Sequence, residues 1–191
     1  RRVSTASIDT STLQTAIQKA AGIEPVNQIL SADEMSAMVE YVEASGDPVS
    51  GEAVYRRDNL LCMTCHAIGG AGGTLGPDFT SIGASAPVDY LIDSLLQPQK
   101  QIKEGYHVVM ITKKDGTVAA GKLASENDTT VTLQDPADQL IEIPKSTIAS
   151  QEMSPVSLMP PGLTQSLRKD EFADLIKFMS RLGKEGDFKV G

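Results

Sequence analysis

The sequence predicts a mainly α fold that is interrupted by a small antiparallel β insert and preceded by a helical segment. Three observations predict it. Apolar residues recur at helical spacing near both ends, at Met35, Met38, Val39 and Val42 and again at Phe172, Leu175, Ile176, Met179 and Leu182, which puts one apolar face on each turn. Between about residues 103 and 150 the period shortens to that of strands, with turn signals between the runs. With 4 Phe, 4 Tyr and no Trp in 191 residues, the protein part of the core must come from aliphatic side chains and Met.

Taken in order, Thr10 to Ala44 reads as two helices. The first carries Leu13, Ala16, Ile17 and Ala20 and is closed by Gly22 and Pro25. The second opens on Ser31-Ala32-Asp33-Glu34, a capping box in which the Ser hydroxyl and the Glu carboxylate each satisfy a free backbone N–H. Residues 1–46 therefore read as a helical segment or linker, or the tail of a preceding domain. Gly46-Asp47-Pro48 is a break, and Ser50 to Arg57 starts a short helix into the main domain, residues 47–184. A glycine-rich loop, Gly69 to Gly73, is followed by a helix from Pro87 to Leu96 that Pro98 ends. Tyr106 to Ile111, Thr117 to Leu123, Thr129 to Leu133 and Gln139 to Ile143 read as four strands, the first two joined by Lys114-Asp115-Gly116 and the last two by Asp135 to Asp138. Helical character returns near Ser166, Gly183 stops it, and 185–191 form a tail.

The formal net charge is −8, which argues against nucleic-acid binding, because that relies on a basic surface neutralising phosphates. No apolar run is long enough to span a bilayer, and the start at Arg1-Arg2 shows no apolar signal core. The chain has only two cysteines, three positions apart, whereas a disulfide-stapled protein uses more of them at wider spacing.

Those cysteines lie in Cys62-Met63-Thr64-Cys65-His66. Cys-x-x-Cys-His is the attachment sequence for c-type haem, in which two thiols add to the vinyl groups and the adjacent imidazole binds the iron. A thioredoxin-like pair would follow a strand, but the residues before Cys62 read as helix. Zinc would need a fourth ligand, and His107 is the one remaining histidine.

His66 is the expected proximal ligand, with its other ring N–H donated to a carbonyl. The candidate acceptor is Pro77, in Gly76-Pro77-Asp78, whose fixed φ holds its carbonyl in one direction. For the sixth position the leading candidate is Met159, in an extended loop stiffened by Pro160 and Pro161. Met153, His107 and an open position remain alternatives, while Met35, Met38 and Met179 lie on helical stripes and read as core. A Met/His pair predicts a closed, low-spin haem that moves electrons and resists gases.

Two motifs are decoys. Gly116 to Leu123 imitates a phosphate-binding loop, but Leu123 stands where Ser or Thr is required and the segment reads as hairpin and strand. Asn127-Asp128-Thr129 matches a glycosylation acceptor and reads as a polar hairpin turn.

Together, the helix at Gly51 to Arg57, the Cys62 to His66 motif, Gly76-Pro77, Met159-Pro160 and the closing amphipathic helix resemble the class I c-type cytochrome family. More narrowly, Gly76 to Gly83, Gly105-Tyr106, Lys114 to Gly116 and Ser157 to Leu163 are similar to the haem-binding domain of planctomycetes and verrucomicrobia. The resemblance covers about residues 47–182. It implies a mainly α cytochrome c fold with crossing first and last helices, and a small β insert at about 103–150 before the Met-ligand loop. It also implies one covalently attached haem c, with iron between His66 and Met159.

The function it implies is one-electron transfer without catalysis. The expected partners are a dehydrogenase, attached or separate, and a downstream electron carrier. The expected location is periplasmic or exported, within a larger anchored protein where the chain is part of one. The alternative is a haem-based gas sensor or binding domain with a labile sixth ligand.

Overall fold

The computed structural model describes residues 26 and 28–186; the expected helix over Leu13 to Ala20 lies outside them. Six α-helices are described: α1 (Ala32–Ser45), α2 (Pro48–Tyr55), α3 (Cys62–Cys65), α4 (Ile82–Ser85), α5 (Val88–Leu96) and α6 (Lys169–Arg181). The strands are β1 (Ala67–Ile68), β2 (Ala71–Gly72), β3 (His107–Lys113), β4 (Val118–Glu126), β5 (Thr130–Gln134), β6 (Leu140–Pro144) and β7 (Ile148–Ser157).

Local chemistry starts the helices. At α1 the Glu34 N–H donates to Ser31 Oγ at 3.3 Å, and the Ser31 N–H donates to the Glu34 carboxylate at 2.8 Å. At α2 the Asp47 carboxylate accepts from the Val49 and Ser50 N–H groups. Pro48 follows at a position whose N–H would be unpaired anyway. Gly183, at φ 77°, ends the last described helical stretch.

The helices share one core. Val42 of α1, Val54 of α2, Ile92 of α5 and Phe172, Ile176 and Phe178 of α6 are buried in a single cluster. The break at Gly46 to Pro48 thus separates two helices that contribute to the same core. α2 lies directly on α6, and no side chain fits between them at Gly51, where a Cβ would stand 1.9 Å from the Asp174 carbonyl oxygen.

β3 to β7 form a five-stranded antiparallel sheet in the order β6-β5-β4-β3-β7. Its own core is Val109, Ile111, Val131, Leu133 and Ile143. Ile111, Leu133 and Ile143 are fully buried, each contributing about 1.5–3 kcal/mol.

This sheet corrects the mainly α cytochrome c fold expected from the sequence. The described residues are 36% helix and 26% strand, so the architecture is mixed α and β. The sequence pattern showed four strands and an insert ending near residue 150. The fifth strand, β7, runs on to Ser157 and includes Pro155. It is an edge strand bonded only to β3, so it buries little and carries a weak apolar alternation, and an edge is where a sheet tolerates Pro. His107 pairs with Ser157, so the sheet leaves and rejoins the helical part at adjacent points.

Among the described residues no helix is long and apolar enough to cross a membrane.

Candidate functional site

The chain approaches the cysteines through a 3-10 turn, Asp58–Leu60, and then Leu61, at φ 58° and ψ 12°. That left-handed conformation costs a non-glycine residue about 1–3 kcal/mol, and it sets the start of α3 at Cys62. Within this single turn Cys62 and Cys65 are three positions apart, so both lie on one side of it. His66 then leaves the helix in an extended conformation while its N–H still donates to the Cys62 carbonyl at 2.9 Å.

Both cysteines are free and partly buried. Burial pushes the Cys62 thiol up to about 11. Burial, with the nearby Asp138 charge, pushes the Cys65 thiol up as well. Both are therefore protonated near neutral pH, the opposite of the depressed thiol that a dithiol oxidoreductase uses for attack.

The His66 ring is held on several sides. Nδ1 lies 2.8 Å from the Pro77 carbonyl oxygen, the acceptor named from the sequence. Phe79 stacks on the ring, with centroids 3.9 Å apart and planes 15° from parallel. Gly76 abuts it so closely that a Cβ there would lie 2.4–2.8 Å from three ring atoms. Tyr55 reaches over from α2 and donates its hydroxyl to the His66 carbonyl at 3.1 Å. Burial holds the imidazole below its ordinary range, opposed by the Pro77 hydrogen bond, which favours the neutral, metal-binding form. Nε2 has no hydrogen-bond partner among the described residues.

The loop after the motif is stitched to it. β1 and β2 pair through a tight turn in which Gly69 and Gly70 take φ of 61° and 83°, a conformation only glycine adopts cheaply at both positions. The Gly73 N–H donates to the Met63 carbonyl at 2.9 Å, and the Gly76 N–H to the Cys65 carbonyl at 2.7 Å.

Met159 is partly buried and packs against the helical core, as do Cys62 and Phe79. Its N–H donates to Ser157 Oγ at 3.1 Å, and its carbonyl accepts from Gln99 Nε2 at 3.4 Å. Of the alternatives, Met153 is 68% exposed on β7. His107 opens β3 opposite Ser157, two residues before Met159. Thr164, on the same loop as Met159, is buried with its hydroxyl unpartnered among the described residues. The two decoy motifs form a turn with strand β4 and a polar turn in which Asn127 Oδ1 accepts from Thr129 and Thr130 N–H groups.

The donors present fit a covalently attached haem: two thiols on one side of a turn, a neutral imidazole with one nitrogen unpaired, and a thioether at the edge of the same core. They fit zinc poorly, since among the described residues no three His, Cys, Asp or Glu side chains gather to hold an ion.

Sequence reasoning missed Tyr55, Phe79 as a stacking partner, and Gln99. Phe79 stood inside the Gly76 to Gly83 string, but only as part of a resemblance. Tyr55 and Gln99 act through tertiary contacts that no local pattern announces.

No protein-family model matches the chain, and no curated protein matches it.

Proposed function

We propose that the chain carries one covalently attached haem c and transfers single electrons. The observation that supports this best is the His66 imidazole, fixed through Nδ1 on Pro77 with Nε2 unpaired among the described residues, directly after two thiols on one side of a helical turn. Cys62 and Cys65 would hold the group through thioether bonds, and His66 and Met159 would supply its iron ligands. The group supplies a one-electron iron couple that protein side chains cannot.

The rest is the work of this chain's own residues. The Pro77 carbonyl accepts a hydrogen bond from the Nδ1–H and so favours Nε2 as the nitrogen that carries the lone pair. Phe79 stacks on the ring and Gly76 abuts it, both resisting its rotation, and Tyr55 ties the His66 backbone to α2. The Met159 thioether would favour the reduced state and close the site to gases. The net charge of −8 suits docking to basic patches on a dehydrogenase donor and on a downstream carrier. Covalent attachment of this kind goes with an exported, periplasmic setting.

The test is the visible spectrum of the purified protein, oxidised and reduced, with and without carbon monoxide, beside haem staining after denaturing electrophoresis. Stain that survives denaturation, a methionine-to-iron band in the far red and indifference to carbon monoxide are expected. No stain defeats the haem assignment. Stain with rapid carbon monoxide binding defeats electron transfer and leaves a gas-binding domain.

A further inference from the structure

The sheet touches the site at two places, and one row of paired residues connects them. At the near end, Lys122 of β4 donates from Nζ to the Thr74 carbonyl at 2.5 Å, and Gln134 of β5 donates from Nε2 to Thr74 Oγ1 at 2.9 Å. Gln134 is buried and also donates to the Asp138 carboxylate. Thr74 directly follows Gly73, whose N–H is bonded to Met63 inside the motif, and precedes Gly76, bonded to Cys65 and pressed on the His66 ring. Gly73 has no slack, because a Cβ there would stand 1.9 Å from the Thr64 carbonyl oxygen.

The same two residues begin a single rung across the sheet. Gln134 pairs with Lys122, Lys122 with Val108 of β3, and Val108 with Ser154 of β7. β7 then runs to Ser157, whose N–H donates to Gln99 Oε1 at 2.5 Å and whose hydroxyl accepts from the Met159 N–H. Gln99 Nε2 in turn donates to the Met159 carbonyl. The rung, continued along β7 past a register shift between Ser154 and Ser157, thus joins the loop bearing on His66 to the segment bearing Met159.

We propose that the five-stranded sheet is a brace, in which Lys122 and Gln134 are positioning residues that hold the His66 and Met159 segments at a fixed separation. The brace rests on the haem reading for its purpose, but its mechanics belong to the protein alone. A sheet that merely decorated the surface would need one point of attachment. This one has two, on the two segments that the electron-transfer reading places on opposite sides of one iron.

The test uses the haem-loaded protein with Lys122→Met and Thr74→Val combined, which removes both near-end hydrogen bonds at little cost in volume. Amide hydrogen exchange at Gly73 and Gly76 is expected to rise about tenfold, while that of Ile176 in α6 and Leu133 in β5 stays as it was. In the same variant carbon monoxide is expected to bind the reduced form about tenfold faster, because Met159 is held less firmly. Lys122→Arg, which keeps a donor at that position, should behave as the unmodified protein in both measurements. Unchanged exchange at Gly73 and Gly76 overturns the brace, and so does a loosened loop with carbon monoxide binding no faster than before. If the unmodified protein lacks the far-red band, the electron-transfer reading falls by itself, and exchange alone decides whether the brace exists.

Discussion

His66 and Pro77 are joined by a contact of 2.8 Å between Nδ1 and the carbonyl oxygen, and its direction is unambiguous. A carbonyl can only accept, so Nδ1 carries the proton, and burial, which holds the imidazole below its ordinary range, favours leaving Nε2 with the lone pair. The imidazole therefore sits in the tautomer and the charge state that suit a metal ligand.

Gly76→Ala should break this arrangement without touching either partner. The added carbon would lie 2.4 Å from Cε1, 2.6 Å from Nδ1 and 2.8 Å from Nε2 of His66, distances no relaxed structure tolerates. The ring must swing away from Pro77, and the overpacking should cost about 1–3 kcal/mol. Nitrogen-detected NMR of the His66 ring reads the tautomer. A ring still protonated only at Nδ1, at unchanged stability, would show that Gly76 does not confine it.

Met159→Ala should separate the ligand role from the packing role. Met159 is only partly buried, so the fold is expected to persist. On the proposed haem assignment the far-red band should vanish, the midpoint potential should fall, and carbon monoxide should bind at once, since a thioether ligand would favour the reduced iron. If the far-red band survives, another methionine holds that position, and Met153, on β7, is the one to replace next.

Acid should loosen the contact between the start of α6 and the end of α2. Burial pushes the Glu171 carboxyl up, but the Arg57 hydrogen bond, the Arg168 N–H and the two guanidinium charges outweigh it and hold the group below its ordinary 4.5. A depressed carboxyl stabilises the fold fully above its unfolded value, and that stability is lost as pH falls through the folded value. Glu171 approaches Arg57 at 2.7 Å with its own side chain 13% exposed and the Arg57 side chain 40% exposed, so Glu171→Gln should cost about 0.5–2 kcal/mol at neutral pH. Urea midpoints should differ between the two proteins at pH 7 and converge toward pH 3. A constant difference across that range would mean the carboxylate's charge contributes nothing.

What the sequence made legible follows the range of the interaction. The Ser31 to Glu34 capping box, the Lys114 to Gly116 hairpin and the Phe172 to Leu182 stripe are decided within a turn or two, and each was readable. The Cys62 to His66 motif and the Pro77 acceptor were also readable, because proline's fixed φ constrains a carbonyl from the sequence alone. β7 was not, since a half-exposed edge strand with Pro155 and polar neighbours is stabilised by β3 rather than by its own pattern. The Gln134 to Thr74 and Tyr55 to His66 contacts span sixty and eleven residues. No periodicity encodes them, so a β region that read as a small insert proved to be a sheet attached to both sides of the site.

Gly51→Ala offers the sharpest separation between local and tertiary effects, because the two have opposite signs there. In an exposed helix interior, alanine stabilises relative to glycine by about 1 kcal/mol. At Gly51 the new Cβ would stand 1.9 Å from the Asp174 carbonyl oxygen, 2.5 Å from its carbon and 2.8 Å from Phe178 Cβ. Two of those atoms are backbone, so no side-chain rotation relieves the clash, and α2 must move off α6. The net effect should be a loss of about 1–3 kcal/mol. Val49→Ala, two positions away at a residue 67% exposed, should change stability by less than about 0.5 kcal/mol. Tyr55 lies one helical turn beyond Gly51, and its hydroxyl holds the His66 carbonyl, so displacing α2 should also disturb the His66 ring signals. A more stable Gly51→Ala protein with those signals unmoved would mean that the two helices do not meet backbone to backbone, and that α2 does not help to hold the histidine.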